Sequence, residues 1–227
     1  MKRHFLLAAF LVFAMTAAFA QNYNQTDSKG RRQGLWTGYH SNGQKRYDGQ
    51  FKNDKPRGLF NYYDENGNLQ ATNKFDKSGE KAENKTYAPD GTLVAEGIYV
   101  NQKKEGEWRY YDKSGRLVLV EDNKNGLVDG WSKIFNPETG TLAEETEFVK
   151  GLPHGVCRKY RENGLLLMEC QYANGKLEGV SKTYYPNTSL KEEGNYCQGE
   201  KCGQWKTYNE DGDLVAVDSY DQEEIAE

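Results

Sequence analysis

The chain has 227 residues, including 24 Gly, 16 Tyr and 4 Cys, and a net charge of −4. A hydrophobic share of 36% with mean hydropathy −0.95 is too polar for one thick-cored enzyme domain of this length. An aromatic share of 13% excludes a disordered chain, and an acidic balance without a basic cluster excludes nucleic-acid binding.

The first predicted element is a secretory signal over residues 1–20. Lys2 and Arg3 form a basic head, Phe5 to Phe13 is an unbroken apolar run, and Ala18-Phe19-Ala20 fits a small-x-small cleavage site. The run is shorter than the ~20 residues a membrane span requires, and no other segment is apolar enough to span. Cleavage after Ala20 makes the protein periplasmic or secreted and moves its net charge to about −6. Residues 21–33 form a lead-in.

From Gly34 onward the sequence repeats. Unit starts fall at Gly34, Gly58, Ala82, Gly106, Gly130, Gly155, Gly179 and Gly203, spaced by 24 residues with one step of 25. The longer step carries one extra residue in the turn around Pro137. Five residues after each start stands an aromatic: Tyr39, Tyr63, Tyr87, Tyr111, Phe135, Tyr160, Tyr184 and Tyr208. A turn glycine follows in every unit except one, where Thr188 replaces it. Two positions later comes leucine, except at Lys45. A second aromatic closes the unit, as at Phe51, Tyr99 and Tyr220, except at Asn123.

Turn sequences such as Asp64-Glu65-Asn66-Gly67 supply a positive φ at glycine and local hydrogen bonds from Asp or Asn. Each unit therefore reads as a β-hairpin. A three-residue loop with a bulged glycine sets the first aromatic opposite the leucine. Glycine at this frequency is incompatible with helices. The predicted fold is all-β: an elongated antiparallel hairpin array of eight units over 34–220, followed by an acidic tail, 221–227. Sixteen strands give a sheet roughly 75 Å long, with a stripe-like core and nearest-neighbour stability. The fully occupied Tyr column is the expected packing ladder.

The pattern Gly106-Glu107-Trp108-Arg109-Tyr110-Tyr111, with Tyr172-Ala173-Asn174-Gly175-Lys176, resembles the MORN-repeat variant. This variant is common in bacterial proteins labelled as YwqK-type antitoxin components. The resemblance covers nearly all of 34–227 and implies an elongated hairpin array used for binding or scaffolding, with no catalytic motif. An antitoxin usually acts in the cytoplasm, which conflicts with a signal peptide. Tyr111 to Leu117 is also similar to the YD repeat of large shell proteins, and Tyr-Tyr-Asp-x-x-Gly to choline-binding wall repeats. Trp131 falls outside the column that the wall repeats would need.

Export permits disulfides. Cys197 and Cys202 flank the turn Gln198 to Lys201 and face each other across adjacent strands. Cys157 and Cys170 are directly opposite if their turn has two residues, and on opposite faces if the bulged turn applies. Four free thiols are the alternative. His40 and His154 occupy positions held elsewhere by ordinary residues, so they define no triad, and no metal-ligand spacing or cofactor motif occurs. Asp48, Glu96, Glu145, Glu169 and Glu193 form a recurring column, read as a solvated acidic stripe. Trp36, Phe60, Trp108 and Trp205, joined by Tyr62 and Tyr110, lie on the opposite strand parity. If that face is open they form an aromatic track for peptides, glycans or proteins; if the twist covers it they do not.

The expectation is therefore an exported, non-enzymatic repeat protein that binds a protein partner at the envelope. A glycan- or wall-binding module and an antitoxin-like component are the alternatives. Open sheet edges also allow a homodimer.

Overall fold

A computed structural model describes residues 23–220. The signal segment and the acidic tail lie outside the described residues. Every regular element among those residues is a strand. The first six are β1 (Gln25–Thr26), β2 (Arg32–Tyr39), β3 (Lys45–Lys52), β4 (Lys55–Tyr63), β5 (Leu69–Phe75) and β6 (Lys81–Tyr87). Next come β7 (Leu93–Val100), β8 (Lys103–Tyr111), β9 (Leu117–Lys124), β10 (Leu127–Phe135), β11 (Leu142–Val149) and β12 (Leu152–Tyr160). The last six are β13 (Leu166–Ala173), β14 (Lys176–Leu177), β15 (Gly179–Tyr184), β16 (Leu190–Cys197), β17 (Glu200–Tyr208) and β18 (Leu214–Tyr220).

Consecutive strands pair antiparallel from β1 through β18, giving one open sheet. Eighteen strands replace the expected sixteen because the lead-in contributes β1 and one strand is split at Glu178 into β14 and β15.

Each hairpin closes through a three-residue loop except the fifth, where the extra residue makes it four between Asn136 and Thr141. In the second, Asp64 N–H donates to Asn68 O, and Gly67 N–H donates to Asp64 O. The Asp64 carboxylate accepts from the Asn66 and Asn68 amides, which fixes the turn locally. Tyr63 stands opposite Leu69, as the repeat predicts, but Tyr62 stands opposite Ala71. One extra residue is therefore bulged out just after the turn. The same shift recurs in the sixth hairpin, where Tyr160 faces Leu166 and Lys159 faces Met168.

Except between β5 and β6, units join through tight turns with both central residues in the left-handed region, such as Asn53 (φ 54) and Asp54 (φ 66). A wide bulge follows. Gln50 faces Arg57 and Asp48 faces Asn61, so Gly49 alone spans Gly58, Leu59 and Phe60. Gly58 takes φ 63 there, which explains the glycine at unit starts. The one exception, Ala82, sits where β5 and β6 pair without any shift, so no left-handed residue is needed.

Candidate functional site

The two faces of the sheet carry different chemistry. On the first, Phe60, Trp108 and Trp205 are 2%, 2% and 3% exposed. Each lies against a glycine of the preceding strand. A Cβ on Gly49, Gly97 or Gly194 would come within 2.2–2.3 Å of the Phe60, Trp108 or Trp205 ring. These glycines are required by close approach of a ring rather than by backbone angle. The sides of each ring are closed by the second aromatic column, joined by lysine at the two tryptophans. Tyr99 packs edge-on to Trp108 at 4.8 Å, and Lys104 Nζ stands 4.7 Å from its centroid. Tyr196 and Lys201 do the same for Trp205 at 5.1 and 3.7 Å. Phe51 and Phe75 flank Phe60 at 5.0 and 5.3 Å.

The sequence left open whether this aromatic column is exposed or covered. Phe60, Trp108 and Trp205 form the core, Trp36, Tyr62 and Tyr110 are half-buried beside it, and the track is covered. Trp108 Nε1 and Trp205 Nε1 donate to the Ile98 and Asn195 carbonyls, so their polar atoms are committed as well. The signal was present in the sequence. Eleven residues after Gly49, Gly97 and Gly194 stands a large aromatic; eleven after Asn73, Glu121, Thr146 and Cys170 stands Asn84, Ser132, Cys157 or Ser181.

The opposite face carries the Tyr column, which is polar rather than the packing core. Tyr63 Oη donates to Asp48, Tyr111 to Glu96, Tyr160 to Glu145 and Tyr208 to Glu193, at 3.1, 2.7, 2.8 and 2.9 Å. Each tyrosine reaches back to the carboxylate of the previous unit. Burial pushes the Tyr63, Tyr111 and Tyr160 hydroxyls above the usual phenol range, and the neighbouring carboxylate adds to it. For Tyr208 the hydrogen bond to Glu193 is the main cause. Phe135 is the one hydroxyl-free residue in the column, and the carboxylate it would reach is replaced by Val120.

A basic column runs beside the acids: Lys85, Arg109, Lys133, Arg158, Lys182 and Lys206. Registers place Lys85 opposite Glu96, Arg158 opposite Glu169 and Lys182 opposite Glu193. Arg158 bridges Glu169 at 2.8 Å and Glu145 at 3.3 Å. The acidic column is thus half-buried and neutralised, not a solvated stripe.

Cys157 faces Cys170 directly and the two are disulfide-bonded, with Cα atoms 5.0 Å apart. The bulge after the turn returns them to one face, which a loop count alone could not reveal. Cys197 and Cys202 form the second disulfide, Cα–Cα 5.8 Å, but they do not face each other: the turn is only Gln198 and Gly199, Cys197 pairs with Glu200 and Cys202 with Asn195, so the bond runs diagonally across the strands. His40 Nε2 lies 2.8 Å from the Tyr63 carbonyl, and Asn174 N–H donates to His154 Nδ1 at 3.4 Å. His154 belongs to β12. Among the described residues no cluster of three or more His, Cys, Asp or Glu could hold a metal ion.

The two ends of the sheet differ. At the first, β1 pairs with β2, and Asn24 bonds both ways to the Thr37 backbone. Asp27 folds this lead-in through Arg31, whose hydrogen bond holds the Asp27 carboxyl at about 2. A cleft of about 660 Å³ opens beside it, lined in part by Tyr23, Tyr39, Lys45, Asp48 and Arg57. At the other end, β18 pairs among the described residues only with β17 and is exposed throughout.

A family model described as MORN repeat variant matches residues 32–53 and 177–198. A comparison with curated proteins finds no match. Among solved structures, the chain is similar to a crystal structure of TarM at 12% identity and TM-score 0.33, over 43% of this chain and 19% of that one. It is also similar to a crystal structure of TcdB2-TccC3-Cdc42 at 12% identity and TM-score 0.21, over 84% of this chain and 12% of that one. The chain thus spans about a fifth and an eighth of those two lengths. The two matched segments, one in the first unit and one across the seventh, support reading the array as a MORN-repeat protein.

Proposed function

We propose that the chain is an exported, non-catalytic scaffold that presents an extended sheet to a protein partner at the cell envelope. The single observation that carries this reading is that, among the described residues, the sheet is open and its last strand exposed, with Leu214, Val215, Val217 and Tyr220 on the surface. An exposed apolar strand of this kind is costly unless something pairs with it. MORN repeats are binding repeats, which agrees. Two disulfides support an oxidising compartment, and with it the signal peptide ending at Ala20 and a YwqK-like protein in exported form.

The cleft at the first two units favours a second reading, glycan or wall binding, because Tyr39 is 60% exposed at its rim. Fractionation of intact cells tests the first reading against it. The scaffold predicts a mature N-terminus at Gln21 and one partner protein held in constant ratio. Retention on peptidoglycan that is lost in Tyr39→Ala would favour the second reading. An uncleaved chain in the cytoplasm would favour the antitoxin-like role.

A further inference from the structure

The fourth and eighth hairpins share a distinctive set of residues. Trp108 and Trp205 occupy the core column, and Arg109 and Lys206 the basic column. Val120 and Val217 replace the usual carboxylate, and Glu121 and Asp218 replace the glycine. Their cross-strand pairs correspond one to one. Arg109 faces Val120 and Trp108 faces Glu121 in one; Lys206 faces Val217 and Trp205 faces Asp218 in the other.

The fourth hairpin has a neighbour on its far side and the eighth, among the described residues, does not. Strand β10 pairs with β9, setting Ser132 opposite Glu121, Lys133 opposite Val120 and Ile134 opposite Leu119. Phe135 follows, where a carboxylate-bearing strand would call for tyrosine. The chain therefore contains its own template for what fits β18.

Resting on the scaffold reading, we propose that β18 is a docking edge for an extended segment of a partner protein. That segment adds as an antiparallel strand with a small hydroxyl residue opposite Asp218 and a basic residue opposite Val217. An aliphatic residue sits opposite Ala216, and an aromatic without a hydroxyl follows. Main-chain hydrogen bonds supply affinity and the alternating side chains supply the choice of partner. Charge agrees. The turn beside β18 carries Glu210, Asp211 and Asp213, and the sequence after Tyr220 is acidic, so a basic segment is attracted and an acidic one repelled.

A second copy fits worse. Antiparallel self-pairing centred on Val217 places no cation at the centre. It also sets the acidic sequence after Tyr220 beside Asp213 of the copy.

The probe is a fluorescent peptide with the sequence of residues 127–135, titrated into the full chain. Anisotropy and amide exchange at Val215 to Ser219 are the readouts. Saturable binding that slows exchange in β18 is expected. Val217→Lys in the chain should weaken binding about tenfold or more, through like-charge juxtaposition with the peptide's lysine. Val217→Pro, which removes an amide donor, should abolish it. Should that variant disturb the hairpin, Val217→Lys keeps the strand and carries the test. Unchanged exchange at saturating peptide overturns the proposal. So does β18 protected before peptide is added, whether by self-pairing that grows with concentration or by residues 221–227 at any concentration. A cellular complex that survives Val217→Lys overturns the edge but leaves the scaffold reading intact.

Discussion

Thr188 occupies the turn position that glycine holds in the other seven units, with φ 70. A β-branched residue in the left-handed region carries strain of about 1 kcal/mol or more. Thr188→Gly should therefore raise stability by about 1 kcal/mol and the melting temperature by about 2–4 °C, measured by thermal unfolding. At the core, Gly97→Asn drives a side chain into the Trp108 ring and should cost about 1–3 kcal/mol, while Trp108→Asn empties the same space. The pair together recreates Asn73 and Asn84, which bond to each other at 2.7 Å. The double variant should thus be less destabilised than the sum, by about 1–2 kcal/mol in a double-mutant cycle. Strict additivity would refute the coupling. Both arguments use information legible in the sequence, where Gly97 and Trp108 stand eleven apart. Half of the Tyr column, Tyr63, Tyr111, Tyr160 and Tyr208, is tied by a recurring hydrogen bond to a carboxylate, a role that occupancy of the column alone does not separate from packing.

At the scale of the hairpin, the Tyr–carboxylate rungs make stability depend on pH. The Tyr63, Tyr111, Tyr160 and Tyr208 hydroxyls are raised in the folded chain. A raised phenol contributes stability that is complete below the unfolded value of ~10 and is lost as pH rises through the folded value. Alkaline titration followed by circular dichroism should show unfolding that sets in above about pH 10. Replacing the four tyrosines with Phe should flatten that alkaline limb while lowering stability at neutral pH. An unchanged limb would count against the rungs. Hairpin existence, turn chemistry and the Tyr–Leu pairing were legible because turn glycines and columns recur at a fixed spacing. The face each column takes was not. A bulge after each turn, and a second after every junction except that between β5 and β6, alter the strand parity that a residue count assumes. Cys157 and Cys170 show the consequence: their direct pairing depends on the bulge that follows Tyr160 and Leu166.

For the whole molecule, a single-layer array buries its aromatics only against neighbouring strands, so stability is a sum over units and junctions. The low apolar content noted at the outset follows from that geometry: one ring over one glycine closes a core cell. With the aromatic track covered and the acids neutralised, the recurring faces are largely self-satisfied, and the sheet's unfinished business lies at its ends. Among the described residues, the lead-in pairs with the first end and β18 is exposed at the other. The most direct test of the scaffold account is crosslinked purification of the full chain from intact cells, with quantitative mass spectrometry of what is retained. The account predicts a chain beginning at Gln21 and one exported protein bound in fixed ratio; recovery of the chain with no stoichiometric partner would contradict it.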